Sequence, residues 1–70
     1  GGGVVRDPSV WRRAIAAAAS ALAQHGLGVA GIVPARPRGA HGNQEFFIHA
    51  RADAPPADDR LVGTAVEAAP

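Results

Sequence analysis

Seventy residues make about half of a typical domain, and only sixteen are large apolar side chains (seven Val, three Ile, three Leu, two Phe, one Trp), with seventeen Ala supplying the rest of the 47% hydrophobic content. The chain has no Cys, which excludes disulfides, thiolate zinc sites and thiol catalysis together, and a formal charge of +1 does not by itself mark a nucleic-acid binder, although all seven basic residues are Arg. No apolar run approaches the ~18 residues of a membrane span and no basic-then-apolar leader is recognisable, so the composition points to a piece of a larger, soluble, cytoplasmic protein that binds no membrane.

In chain order, the first element is a helix. Asp7 is an N-cap residue and Pro8 stands at the first helical position, where a missing N–H costs nothing. Trp11, Ile15, Ala18 and Leu22 fall at i, i+4, i+7 and i+11 as one apolar stripe, widened by Ala14 and Ala21, while Arg12, Arg13, Ser20 and Gln24 lie mainly on the other side. The run Ala16 to Ala19 has the best helix propensity of any residue type, and Gly26 stands where a left-handed C-cap is wanted. These signals predict a helix over 8–25.

Two β-type segments follow, Leu27 to Val33 and Glu45 to Arg51, the second rich in β-favouring Phe46, Phe47 and Ile48. The eleven-residue connection from Pro34 to Gln44 is long for a hairpin, and long loops in compact domains tend to be functional or disordered. A pair of strands is marginal in water alone, so the free sheet edge calls for a missing neighbour. From Asp53 to Pro70 the Pro55-Pro56 pair and scattered Ala and Asp predict a disordered tail, with only weak support for a helical turn over 59–68.

Several chemical signals resolve into structural ones. Gly26-Leu27-Gly28-Val29-Ala30-Gly31 matches G-x-G-x-x-G letter for letter, but a dinucleotide fingerprint must follow a strand and open a helix, whereas here the order is helix, glycines, strand. A C-cap followed by a glycine-containing strand explains the same letters. His25, His41 and His49 fit no zinc spacing, so no metal is expected, and His25 is accounted for as a partner of the helix C-terminus. Ser9 and Ser20 have no acid and His arranged for nucleophilic catalysis.

The remaining constellation is the long loop with Arg36, Arg38, His41 and Asn43, running into Glu45 at the mouth of a strand. Ligands of α/β proteins gather around strand ends, which makes Glu45 a candidate catalytic carboxylate; the plain alternative is a solvated or Arg-paired strand terminus. Arg36, Arg38 and Asn43 are the candidate RNA-binding residues, since guanidinium groups on such a loop could meet phosphates.

These residues also resemble a family. Gly-Val-Val-Arg-Asp-Pro at 3–8, then a helix, then Gly39-Ala40-His41-Gly42-Asn43-Gln44-Glu45-Phe46-Phe47 are similar to the C-terminal part of the hemolysin A (TlyA-type) ribosomal RNA methyltransferases, which share their fold with FtsJ-type ribose 2'-O-methyltransferases. The resemblance spans about residues 2–52 and departs at Ala35-Arg36, where the family commonly has Ser-Pro. It implies an α/β fold in which 1–52 form the last helix and the last two strands, an antiparallel pair, of a Rossmann-like methyltransferase domain, followed by the Pro/Ala-rich tail 53–70.

The resemblance further implies that Glu45 is the fourth member of a Lys-Asp-Lys-Glu set that handles the ribose 2'-hydroxyl, as an orienting partner to a lysine. The other three members and the glycine-rich loop for the cofactor S-adenosylmethionine would lie before Gly1, and this chain contains no lysine to replace them. The expected function is therefore that of an inactive fragment of an S-adenosylmethionine-dependent rRNA methyltransferase, whose parent acts on ribosomal RNA or a ribosomal subunit. A small α-β-β RNA-binding or interaction module working through the 34–44 loop is the alternative of a different class, and a nonfunctional gene fragment is a third.

Overall fold

The computed structural model describes residues 7–36 and 42–70, with the element order α1 (Pro8–Gln24), β1 (Gly28–Pro34), β2 (Phe46–Arg51), α2 (Asp59–Ala68). Helix α1 begins as its sequence dictates. The Asp7 carboxylate accepts hydrogen bonds from the Ser9 amide (2.9 Å) and the Ser9 hydroxyl (2.8 Å), and the Asp7 carbonyl accepts from Val10 and Trp11. It ends in a Schellman motif: with His25 as C-cap and Gly26 at φ +76°, the Leu27 amide donates to the Leu22 carbonyl and the Gly26 amide to Ala23.

The two Ser9 bonds, hydroxyl first, hold the Asp7 carboxyl below its ordinary range. A carboxyl depressed in the folded state stabilises the helix above its unfolded pKa, and that contribution is lost as pH falls through the folded value. The 222 nm circular dichroism signal is therefore expected to fall in acid, and to fall less in Asp7→Asn, which still caps but carries no titrating group. Identical acid profiles for the two chains would remove Asp7 from the account.

Strands β1 and β2 form a two-stranded antiparallel sheet in which Val29 pairs with Ala50, Ile32 with Ile48 and Val33 with Phe47. The register shifts between Val29 and Gly31, so Ala30 is the extra residue of a bulge. Both strands lie within one residue of their predicted bounds. Alternation along the strands turns Val29, Ile32, Phe46 and Ile48 toward the helices and leaves Val33 and Phe47 exposed on the opposite face.

In place of the disordered tail expected over 53–70, Asp59–Ala68 form a full helix, over the same residues as the helical turn that the sequence only weakly supported. Asp58 caps it, accepting from the Leu61 amide at 2.8 Å, and Val62, Ala65 and Val66 fall at i, i+3 and i+4 on its buried face. Together with Ile15, Val29 and Ile32 these three make up the six buried hydrophobic residues among those described, so half of that core comes from α2. The sheet that one helix could not cover is covered by two. Pro55-Pro56 belongs to the connection that delivers α2, not to a tail: the Pro55 carbonyl accepts a hydrogen bond from the Val29 amide at 2.9 Å and occupies part of the β1 edge.

The buried face of α1 is shared between the sheet and the second helix. Ile15 is buried and Trp11, Ala19 and Leu22 pack partly on the core, whereas Ala18, expected in the stripe, is exposed, as are Ala14 and Ala21. Ala19 instead faces Val62 and Ala57 across the groove between the helices. Trp11 meets Phe46 edge to face, with ring centroids 5.9 Å apart and an interplanar angle of 61°.

Candidate functional site

The long connection leaves the sheet at Ala35 and returns at Glu45. The Ala35 amide donates to the Glu45 carbonyl at 2.8 Å, which adds one rung beyond the ends of β1 and β2. Gln44 fastens the same place: its Nε2 donates to the carbonyls of Ala35 (3.1 Å) and Glu45 (2.9 Å), which fixes the orientation of the amide. Its Oε1 is buried without a hydrogen-bond partner among the described residues.

Glu45 thus has a held backbone and an exposed side chain, and its carboxylate makes no hydrogen bond or ion pair among the described residues. Asn43 is exposed two residues before it. Arg36 lies at the other root of the loop, and its guanidinium donates to the carbonyl of Ala68, at the end of α2. Arg38 and His41 lie outside the described residues. The structure therefore brings Arg36 and Glu45 to the two roots of one loop, and commits Arg36 to a contact within the fold. Sequence reasoning passed over Gln44, whose only signal was its place inside the Gly-Asn-x-Glu-Phe element.

The three glycines of the apparent fingerprint have separate explanations. Gly26 takes the positive φ of the helix C-cap. Gly28 lies against the backbone of Ala54 and Pro55, where a Cβ would collide, and Gly31 has open space around it. None opens a helix, and the N-termini of both helices are occupied by the carboxylates of Asp7 and Asp58. These residues do not fit S-adenosylmethionine, whose adenosyl and methionyl groups need a loop at the carboxyl end of a strand. Among the described residues no three His, Asp or Glu side chains gather to hold a metal ion, and no described helix is long and apolar enough to cross a membrane.

Against known proteins, no family profile and no curated sequence matches the chain. A solved structure does. It is described as a "Putative hemolysin from Streptococcus thermophilus", and it superposes with a TM-score of 0.73 at 27% identity over 96% of this chain. The chain resembles part of that hemolysin. It spans only 26% of the Streptococcus protein's length. Coverage of 96% leaves almost nothing of this chain outside the match, so α2 belongs to the shared fold together with α1, β1 and β2. That agrees with its share of the core.

Proposed function

We propose that the chain is the C-terminal part of an S-adenosylmethionine-dependent ribosomal RNA ribose 2'-O-methyltransferase of the TlyA type, inactive by itself, with Glu45 as its contribution to the reacting site. The observation that carries this reading is the match of nearly the whole chain to a quarter of the Streptococcus hemolysin. It is supported by the Gly42-Asn43-Gln44-Glu45-Phe46 element, which holds the Glu45 backbone while exposing its carboxylate. In this reading the cofactor is held by residues of the longer protein, since Gly26 and Gly28 here serve a helix cap and a close backbone contact instead. The substrate, rRNA or a ribosomal subunit, places the protein in the cytoplasm. The alternative of a self-sufficient RNA-binding module is weakened by Arg36, one of the two guanidinium groups on its working surface, which is engaged by Ala68.

The test is a comparison of the 70-residue chain with the longer protein that carries it. Calorimetry of the short chain with S-adenosylmethionine is expected to show no saturable heat. The longer protein is expected to bind the cofactor and to transfer label from it to the 2'-oxygen of rRNA. Micromolar binding by the short chain would refute the fragment reading, and a longer protein that leaves rRNA unlabelled would refute the methyltransferase reading.

A further inference from the structure

The hydrogen bonds at the roots of the β1–β2 loop are local in sequence, apart from the one made by Arg36. Its guanidinium reaches across 32 positions to the carbonyl of Ala68. The last four carbonyls of a helix lack intrahelical partners and carry the negative end of its dipole, so they attract a cation that can also donate. The last turn of α2 contains no basic residue. The cation comes from the loop instead, and arginine suits the place because its charge is permanent and its fork presents several donors.

We infer that Arg36 is a positioning residue that docks the root of the Glu45-bearing loop onto the C-terminus of α2. The chain of support is short. Val62, Ala65 and Val66 seat α2 in the core, Ala68 ends it, Arg36 binds Ala68, and Ala35, next in the chain to Arg36, holds the Glu45 backbone through its amide. The helix expected to be a loose tail thereby becomes part of the scaffold that fixes where the carboxylate stands. The effect on turnover rests on the reading of Glu45 proposed above; the effect on the loop does not.

The loop is tested first, by amide hydrogen exchange in the 70-residue chain. Arg36→Ala should speed exchange of the Ala35 amide about three- to ten-fold, the range for a charge-assisted bond at a helix C-terminus. The Val29 and Leu27 amides, bonded to Pro55 and Leu22, should be unchanged. Ending the chain at Val66 with an amidated terminus, which leaves no new carboxylate for the guanidinium, removes the acceptor without touching Arg36 and should give the same acceleration, with no further increase when the two changes are combined. Independent, additive effects, an unchanged Ala35 amide, or equal acceleration at Val29 would overturn the inference.

Turnover is tested in the longer protein. There Arg36→Ala should lower the rate of RNA methylation at constant KM for RNA, and Arg36→Lys should recover most of it. A loss of RNA affinity with the salt slope reduced by about one would instead make Arg36 a phosphate ligand and overturn its role as a positioning residue. If Glu45→Gln turns over normally while the exchange results stand, the reading of Glu45 has failed and the docking of the loop has not.

Discussion

Adding a single methyl group at position 28 is expected to unfold the chain. A Cβ built on Gly28 would fall inside contact distance of the Ala54 carbonyl and of the Pro55 oxygen, and all of these are backbone atoms that no side-chain rotation can move. The same stretch holds the edge of β1 through the Pro55 carbonyl and leads into α2, so relief of the clash would pull half of the core away from Val29 and Ile32. Overpacking of well-filled sites costs typically 1–3 kcal/mol, and a clash with fixed backbone should cost more than about 3 kcal/mol. A domain this small has little stability to spare.

The neighbouring glycines serve as controls. Gly31→Ala meets nothing within 4 Å and should change stability by less than ~0.5 kcal/mol. Gly26→Ala also meets nothing, but it forces a Cβ into a positive φ and should cost about 1–2 kcal/mol. Urea unfolding of the three variants, followed by circular dichroism, reads the series directly. If Gly28→Ala unfolds at the same midpoint as Gly31→Ala, the packing of the 54–55 backbone against β1 is misassigned.

How much of this was legible from residue order depends on whether local signals agreed with one another. For α1 the Asp7 cap, Pro8 at the first position and the apolar spacing all pointed the same way, and the helix is found within a residue of its expected end, where His25 serves as the cap. The strands were readable as well, because β-branched and aromatic residues gather in them between glycine and proline turn signals.

Helix α2 is the instructive failure. Asp58 and the spacing of Leu61, Val62, Ala65 and Val66 were present, but Pro55-Pro56 and the surrounding Ala and Asp drew the segment toward a tail. What decides for a helix is tertiary: an amphipathic face that small is stable only when it packs, and its packing surface is the uncovered part of the sheet. The contact between Arg36 and Ala68 was illegible for the same reason, since nothing in the local sequence of the loop says which carbonyl lies beside it. At Glu45 the position at a strand mouth could be read from pattern, whereas its chemistry came from resemblance.

Under the function proposed above, Glu45→Gln in the longer protein is expected to lower the turnover of RNA methylation by about 10² fold, a size typical of positioned acid and base groups. The structure makes this substitution clean. The backbone of Glu45 is held by the Ala35 amide and by Gln44 Nε2, neither of which involves its side chain, and the carboxylate forms no bond among the described residues. Gln preserves shape and length while removing the charge, so the fold should keep its stability within ~0.5 kcal/mol. A carboxylate with no structural partner is free to accept a hydrogen bond from a cation or a hydroxyl brought to it, and an orienting role of that kind acts on the reacting groups rather than on affinity. Cofactor and RNA binding should therefore be unchanged. Single-turnover methylation by the wild type and the variant, with both affinities measured alongside, separates this from a solvated strand end, for which turnover stays near normal. Equal single-turnover rates would reduce the family resemblance to a statement about fold and take Glu45 out of the reaction.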